Sequence, residues 1–586
     1  MKRMSILAAV GALACLAAVP AVTSQAATLK PAATLTSAST GASTGAATFS
    51  GAISQATQLA ASASGVAGFK PVAPSAAIQN PSISRVLTSS RSPGGPNPAA
   101  QASGAGAASV SAASVARSRT SVTHAFDGLN DLINDKLYGF LTPPDQGLCV
   151  GPDHTIKGTP DAVWEIVNSV AQENTKSGAV LTGPLNEPTL FQDPNAFSDP
   201  RCLFDPATQS FYFTVISFPA AGPNSTETNT VNDVLVINAR GAAVYQFDSS
   251  LGGQCLGDQP KVGFDNNALV MSTDEYCGPT LSNYEGAIVQ VISKSQLVNE
   301  AATVNWAESS PVSLAGDPVV GLDPAINTGT PTAYLVNSVP FNADGSNDAL
   351  GTTLGLWTLT NTAAVTTGRG TPALTSEVLP SEPYAFPVNA PSTGNGSTST
   401  FNGNTITSEA ALNPDDSRLS APVNVTPGPG GSVNLWTSLD AAVNPTGGTA
   451  TKDGAAWFEI STLFGRVIRQ GYVAAAGNAS LLYPAVYAGR DGTATMVYTI
   501  TSPTLNPSAA FSVLGRPGIE VVAQGSGPHF SFSDAPPFNT ARWGDYSWAG
   551  PDPESGQIWM ATEYIPPTSE WDGNDNWGTY IFAVGR

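Results

Sequence analysis

Acidic, basic and aromatic side chains recur at the start of short apolar segments, a pattern that could build a binding or hydrolytic site. Asp199-Pro200-Arg201 directly precedes apolar residues 202–204, and similar segments recur along the chain. Carboxylates interspersed with Arg, Lys and Tyr at a concave surface are suited to ligand binding or hydrolysis. The candidate binding residues are Asp145, Asp199, Arg201, Asp258, Lys261, Asp317, Arg418, Asp545 and Tyr546.

These segments are seven copies of one repeat, which start at Asp145, Asp199, Asp258, Asp317, Asp416, Tyr483 and Asp545. Successive starts are 54 to 67 residues apart, except between the fourth and fifth, where a polar insertion covers about residues 385–410. Each copy reads as a β-hairpin, and most are followed by two further strand-like runs. The repeat predicts an all-β fold, a seven-bladed β-propeller of four-stranded antiparallel blades.

The last copy shows three strands, and residues near 122 are predicted to supply the fourth and close the ring. Closure would remove exposed sheet edges. A pair of β-sandwiches would also explain the strands, but it does not explain why Asp heads six of the units.

If the first strand of each blade is innermost, the heads of these strands meet at one mouth of a central channel. The last residues of the second strands return to the same face. Two readings of the Asp and Arg series remain open there. The carboxylates could bind a ligand, or each Asp could cap a turn and each Arg could pair with a neighbouring blade.

The N-terminal fifth of the chain, residues 1–118, is expected to lie outside the propeller. Residues 1–26 have the basic, apolar and small-residue regions of a signal peptide, which predicts export to the extracellular space. Residues 27–118, rich in Ala, Ser, Thr and Gly, are predicted to be a disordered linker, followed by the propeller domain over 119–586. No run after the signal peptide is long enough to span a membrane.

The net charge and the composition of the chain limit the classes of binding partner that are expected. The chain carries a net charge of −20 and only 12% charged residues. Nucleic acid and anionic lipid would repel such a chain, so the expected partner is a glycan or an extracellular protein. The chain itself is expected to be a monomer.

Four cysteines remain after the signal peptide, and in an exported protein they predict two disulfides. Cys255 precedes the first strand of its unit and Cys277 follows the second, so hairpin pairing brings them together. Cys149 and Cys202 then pair by elimination.

No cofactor and no metal site of the His-rich kind are expected, because the chain has three His residues. Calcium is the one ion that residues 342–348 and 572–576 could bind, because oxygen ligands cluster there. Neither segment has the spacing of an EF-hand, and solvated loops explain both.

Several motifs resemble those of uncharacterised, secreted bacterial β-propeller proteins. The motifs are Pro143-Pro144-Asp145 with Gly147, Val150-Gly151-Pro152 with His154, Val167-Asn168, Asp199-Pro200-Arg201 and Trp543-Gly544-Asp545-Tyr546. The resemblance covers about residues 122–586 and brings no established activity with it. In broad architecture the chain also resembles sialidase-like propellers of the BNR type.

Resemblance to sialidases implies three Arg around a substrate carboxylate, a Tyr nucleophile paired with a Glu, and an acid/base Asp. The residues that could fill these roles are Arg201, Arg418, Arg542, Glu563, Tyr564 and Asp145, with Glu275 and Tyr276 as a second Glu-Tyr pair. The repeated S-x-D-x-G-x-x-W boxes of those enzymes are absent from the sequence, and neighbours along a strand point to opposite faces. The leading hypothesis is therefore an extracellular recognition module that binds a carbohydrate or a protein. The alternative is a glycoside hydrolase of sialidase type.

Overall fold

The computed structural model describes residue 49 and residues 53–62, 72–73, 108–110, 121–139, 141–152, 162–218, 228–279, 281, 283–326, 329–339, 350–393, 398–401, 404–407, 411–419, 421–445, 451–489, 492–531, 541–567 and 575–585. All of them belong to one compact unit, Ala42–Arg586. The predicted signal peptide lies outside the described residues. No helix among the described residues has the length and apolar character needed to cross a membrane.

Groups of four antiparallel strands make up most of the structure, and we name them sheets A to G in chain order. Sheet A comprises Gly147–Val150, Val163–Val167, Val170–Asn174 and Val180–Asn186; sheet B comprises Ala196–Asp205, Ser210–Ser217, Val231–Asn238 and Gly241–Asp248. Sheet C comprises Cys255–Phe264, Ala268–Cys277, Asn283–Ser293 and Thr303–Glu308; sheet D comprises Asp323–Pro324, Ala333–Ser338, Gly351–Thr360 and Ala373–Tyr384. Sheet E comprises Asn424–Pro427, Val433–Pro445, Lys452–Ser461 and Arg466–Val473; sheet F comprises Ser480–Ala488, Ala494–Ser502, Leu505–Val513 and Glu520–Ala523. Sheet G comprises Trp548–Pro551, Ile558–Tyr564, Gly578–Gly585 and the N-terminal strand Ser121–Asn130.

Shorter elements connect or flank these sheets. The helices are Asp131–Leu137, Glu187–Phe191, Lys294–Val298 and Ala364–Thr367, with a 3-10 turn at Pro429–Gly431. The remaining strands are Ser54–Ser62, Ala108–Val110, Ser313–Leu314 with Asp317–Pro318, Thr398–Phe401 with Asn404–Thr407, and the three-stranded group Ala390–Pro391, Ala411–Asn413 and Ala541–Arg542.

The first strands of the sheets lie side by side in a closed order. Each first strand from A to G contacts the next, and that of G contacts that of A. Between sheets D and E the contact is a parallel bridge from Ala325 to Val423. Sheets arranged radially around their first strands form a β-propeller with a central channel.

Apolar side chains on the sheet faces fill the spaces between neighbouring sheets. Between sheets A and B, for example, the Trp164 and Phe213 rings meet edge to face with centroids 5.2 Å apart, and both side chains are fully buried. Since both faces of a strand are covered, the strands read as nearly continuous apolar runs.

The strand Ser121–Asn130 pairs with Gly578–Gly585 and completes sheet G, which confirms the expectation that residues near 122 supply its missing strand. Glu165 of sheet A stabilises the pairing of Ser121–Asn130 with Gly578–Gly585 by hydrogen bonds to both strands. Its carboxylate accepts a hydrogen bond from the Leu129 backbone N–H at 2.8 Å and another from the Thr579 hydroxyl. Burial raises the pKa of Glu165 to about 7, although these two donors lower it.

Replacing Glu165 should change how stability depends on pH. Because the folded-state pKa lies above the unfolded value, the folded protein binds the proton more tightly, and stability falls as the pH rises through about 7. In Glu165→Gln this loss disappears, so the variant should gain about 2–3 kcal/mol relative to the wild type between pH 5 and pH 8. Urea unfolding at several pH values across this range measures the difference. If the free energy of unfolding depended on pH in the same way in the two proteins, the raised pKa of Glu165 would be contradicted.

Both predicted disulfides are confirmed. Cys255 and Cys277 are cross-strand partners at the open end of the first hairpin of sheet C. Cys149 and Cys202 join the first strands of sheets A and B, and they lie 53 positions apart in sequence. The second bridge therefore links neighbouring sheets at the channel wall.

Within the segment predicted as a disordered linker, residues Ser54–Ser62 form a strand. It pairs with the outer strands of sheets B and C and joins them into one nine-stranded sheet. Backbone hydrogen bonds to two strand edges need no apolar side chains, so the composition of the segment gives no sign of this strand. Most other residues of the predicted linker lie outside the described part of the chain.

Candidate functional site

Each sheet carries one left-handed residue close to the start of its first strand. These residues have φ between 47° and 62° and are Asp145, Asp199, Gln259, Gly321, Asp415, Tyr483 and Gly544. For a residue other than Gly this conformation costs of order 1–3 kcal/mol, so surrounding contacts must hold it. The left-handed residue turns the chain into the innermost strand.

Acceptor side chains at the ends of second strands supply that contact across sheet boundaries. Asn168 of sheet A accepts a hydrogen bond at 2.9 Å from the backbone N–H of Asp199 in sheet B. Asp274 of sheet C accepts from the Gly321 N–H at 3.1 Å, in front of sheet D. In the same way Asp440 of sheet E accepts from Tyr483 of sheet F at 3.0 Å. We call these bonds the inter-sheet clamps.

The clamp at Asn168 is the most extensive. Its amide nitrogen donates to the Asp145 carboxylate and to the Pro143 carbonyl, both at 2.7 Å. Its oxygen also accepts from the Ser198 hydroxyl at 3.3 Å. One buried side chain thus fixes the starts of two neighbouring first strands.

Removing this side chain should destabilise the fold substantially. In Asn168→Ala the Asp199 N–H and the Asp145 carboxylate lose buried partners, and each such loss costs about 1–3 kcal/mol. We expect a decrease of about 3 kcal/mol or more in the free energy of unfolding, measured by urea denaturation. The matched control is Asn266→Ala, because Asn266 makes its hydrogen bond to Gly329 on the exposed surface. Equal effects of the two substitutions would contradict the clamp.

The predicted polar mouth exists, and its side chains are enclosed rather than open to solvent. We call the following residues the mouth cluster: Asp145, Asp199, Arg201, Asp258, Lys261, Asp274, Asp323, Asp416, Arg418, Arg542, Asp545 and Tyr546. None is more than 7% exposed.

The cations of the mouth cluster are engaged by groups of the protein itself. Arg418 pairs with Asp415 at 2.7 Å and with Asp416 at 2.9 Å, and its Nη1 lies 3.7 Å from Asp274 of sheet C. Arg542 pairs with Asp545 at 2.7 Å.

Arg201 lies flat against Tyr546, with its guanidinium carbon 3.3 Å from the ring centroid, and its Nε donates to the Pro260 carbonyl at 3.2 Å. The Tyr546 hydroxyl donates to the Pro200 carbonyl at 2.8 Å. Lys261 lies 3.9 Å from the Asp274 carboxylate. These contacts join sheets B, C and G across the channel.

Burial in this cluster favours the neutral form of several carboxyl groups. It raises the pKa of Asp545 to about 7 despite the opposing effect of Arg542, and the pKa of Asp323 to about 7 despite Lys261. Burial and the neighbouring Asp545 and Asp199 raise the pKa of Asp145 well above its usual value. Protonation therefore reduces the excess of negative charge in the mouth cluster.

Asp317 does not occupy the position that the repeat predicts for it. The first strand of sheet D begins instead at Asp323, two residues after the left-handed Gly321. Asp317 lies in a short hairpin with Leu314 and is half-buried. Gly321-Leu322-Asp323 matches the local geometry of Asp199-Pro200-Arg201, whereas the Asp-Pro dipeptide at 317 marks an additional turn.

The residues with candidate catalytic roles have other partners. The Tyr564 hydroxyl donates to the Asp127 carboxylate rather than to Glu563. Glu563 lies on the channel side, where burial and the neighbouring Asp145 raise its pKa well above the usual range. In the second pair, Glu275 accepts from the Thr273 hydroxyl at 2.6 Å and Tyr276 packs on Tyr284. The three Arg side chains contact groups of the protein itself, as described above.

The three-stranded group of the polar insertion packs near this mouth. Its strand Ala411–Asn413 pairs with Ala541–Arg542, and the Asn413 carbonyl accepts from the Tyr483 hydroxyl at 3.1 Å. Leu412, Tyr483 and Trp543 share one apolar cluster. These contacts contribute to the enclosure of Tyr483 and Arg542.

At the opposite end of the first strands lies a cavity of about 300 Å³, which we call the exit cavity. It is lined by residues from six of the seven sheets, which places it in the channel. Its lining includes Leu148, Val150, the Cys149–Cys202 disulfide, Leu203, Phe204, Ile326, Asn424, Val425, Tyr487, Trp548 and Asp552. An apolar and aromatic wall with a few polar groups is typical of a ligand site.

Two polar groups of this lining have hydrogen-bonding capacity to spare. The Asn424 amide nitrogen donates to the carbonyls of Val486 at 2.8 Å and Ala549 at 3.0 Å, which fixes the orientation of the side chain. Among the described residues, nothing donates to its oxygen and nothing accepts from the indole nitrogen of Trp548. The exit cavity therefore combines an aromatic wall with one acceptor and one donor.

The sequence did not point to this cavity, since its lining residues follow the motifs at the start of each strand. A positional signal was present: Tyr487 is a bulky aromatic residue at the end of the innermost strand Ser480–Ala488, and Trp548 is another at the start of Trp548–Pro551. Within the described part of the chain, no cluster of His, Cys, Asp or Glu is arranged to bind a metal ion. The predicted calcium segment 342–348 falls outside the described residues, and so do residues 572–574 of the other.

No family model and no curated protein matches this chain. Among solved structures, it is similar to a subtype N10 neuraminidase-like protein of A/little yellow-shouldered bat/Guatemala/060/2010, with 11% identity, coverage of 68% of this chain and 100% of that chain, and a TM-score of 0.30. It is also similar to the α-L-arabinofuranosidase Arb93A of Fusarium graminearum, with 12% identity, coverage of 68% and 94%, and a TM-score of 0.35. For Trypanosoma rangeli sialidase the identity is 10%, the coverage 71% of this chain and 56% of that chain, and the TM-score 0.31. At these TM-scores, function has to be inferred from the contacts of this chain itself.

Proposed function

We propose that this protein is an exported, seven-bladed β-propeller that binds a small carbohydrate in its exit cavity. Sheets A to G are the seven blades, because their first strands contact one another in a closed ring. The two disulfides are consistent with an oxidising, extracellular location.

The exit cavity is the single observation on which this proposal rests. The cations of the mouth cluster are paired or stacked within the protein, and none of its side chains is more than 7% exposed. The exit cavity has volume, apolar walls and two polar groups whose hydrogen-bonding capacity is unused. At about 300 Å³ it lies at the small end of ligand sites, which suits one or two sugar units.

A sugar ring matches this lining because its faces are apolar and its edges carry hydroxyl groups. One face would lie against Trp548 or Tyr487. A hydroxyl would donate to the Asn424 oxygen, and another would accept from the Trp548 nitrogen. Net hydrogen bonds of this kind each contribute about 0.5–1.5 kcal/mol, so low-affinity, selective binding is expected.

Binding should depend on Trp548. A glycan array probed with the purified protein identifies the saccharide, and isothermal titration measures its affinity. In Trp548→Phe the aromatic wall remains but the N–H donor is lost, so affinity should fall about tenfold, and urea unfolding measures the accompanying loss of core packing separately. The matched control is Trp457→Phe, since Trp457 lies on the third strand of sheet E, outside the cavity lining.

Three outcomes would contradict the proposal: no saccharide bound on the array, equal affinities for the wild type and Trp548→Phe, or a peptide ligand in place of a saccharide. Turnover of aryl-glycosides by the purified protein would instead support the hydrolase alternative. That result would direct attention back to Glu563 and Asp145.

A further inference from the structure

The strand Ser54–Ser62 bridges two sheets, with each half paired to a different one. Residues 54–57 pair with residues 306–303 on the outer strand of sheet C. Residues 58–62 pair with residues 245–242 on the outer strand of sheet B. If this strand were absent, both outer strands would present unpaired backbone groups to solvent, which is a template for another strand.

Side chains contribute little to holding this strand. Ala56 is 6% exposed and packs in the apolar cluster that contains Tyr245 and Val304. Ser54, Gln55, Thr57 and Leu59 are exposed. Main-chain hydrogen bonds therefore provide most of the attachment, and one small buried side chain sets the register, as in recognition by β-strand addition.

The same segment continues along the outer edges on both sides of the strand. Phe49 forms a bridge with Ser309 and packs against the core beside sheet C. Val72 exchanges hydrogen bonds with the Thr189 hydroxyl beside sheet A, at 3.0 and 3.2 Å. Between Ser62 and Ala108, where the chain next pairs with sheet E, there are 45 residues, which can span up to about 150 Å when extended once Val72 releases Thr189. Ser54–Ser62 could thus reach a neighbouring molecule while Ser121–Asn130 stays in its own sheet G.

We propose that the gap between the outer strands of sheets B and C is an acceptor site for an extended peptide. Phe49 and residues 53–62 fill it within one chain, and the same segment of a second copy can fill it between chains. The ligand class is an extended strand with a small side chain at the position of Ala56. This site is separate from the exit cavity and does not depend on the proposed carbohydrate binding.

The first test empties the acceptor site in the full chain and refills it with a peptide. Ala56→Glu places a carboxylate at the one buried position of residues 53–59 and should release the strand. A fluorescent peptide of residues 49–62 should bind this variant with a Kd in the micromolar range and bind the wild type at least 100-fold more weakly. Thr57→Glu is the matched control, because it adds the same charge at an exposed position and should bind no better than the wild type.

A second variant keeps the test decisive if Ala56→Glu disturbs the core. Thr57→Pro leaves Ala56 in place but interrupts strand pairing, so it should also bind the peptide. Hydrogen exchange should show residues 242–245 and 303–306 losing protection in either variant and regaining it with the peptide. Failure of folded Thr57→Pro to bind the peptide, or equal binding of a peptide carrying Ala56→Glu, would overturn the acceptor site.

The exchange between copies is tested by mixing two differently tagged wild-type proteins at high concentration. Native mass spectrometry should detect mixed dimers that increase over hours, and these should be absent when both copies carry Ala56→Glu. Mixed dimers that form equally with the double variant, or a wild type that stays monomeric, would overturn strand exchange between copies.

Discussion

The inter-sheet clamp is the interaction on which the rest of this structure depends. A left-handed residue lies at or near each innermost strand, and at three of the seven positions its backbone N–H is turned towards the preceding sheet. At Asp199, Gly321 and Tyr483 an acceptor from that sheet satisfies this donor. An unpaired buried N–H would cost as much as the bond contributes, so the position of one sheet determines where the next one starts. The clamps thus fix the boundaries between sheets A and B, C and D, and E and F along the channel.

The clamps also explain why the two ends of the channel differ. Short acidic side chains serve as acceptors, and the left-handed conformation favours Asp at several of the same strand starts. Carboxylates therefore accumulate at one mouth, where Arg201, Lys261, Arg418 and Arg542 offset their charge and pKa shifts keep part of them protonated. The cations and carboxylates of this mouth are therefore paired with one another. The clamps lie at the mouth and not at the opposite end of the channel. At that end the lining is mainly apolar and encloses the exit cavity.

The sequence predicts this architecture well wherever the repeat directly reflects a backbone requirement. Asp199-Pro200-Arg201 lies in the innermost strand Ala196–Asp205, three residues after its start. The structure confirms that Cys255 and Cys277 are hairpin partners and that residues near 122 complete sheet G. Prediction fails where another contact decides the outcome. Gly321 can adopt the left-handed conformation without an Asp, so the Asp-Pro at 317 misplaced the start of sheet D. The exit cavity depends on how strands from six sheets converge, which no local pattern records.

Two strands from the N-terminal part of the chain complete sheets in physically different ways. Ser121–Asn130 enters sheet G with a buried Leu129 and a hydrogen bond from its backbone to the buried Glu165. Ser54–Ser62 joins sheets B and C through its backbone, with Ala56 as its one buried side chain over residues 53–59. Removal of the first strand would expose core and leave an ionisable group without partners, whereas removal of the second exposes mainly backbone edges. The first is therefore a permanent part of the ring, and the second has the properties of an exchangeable ligand.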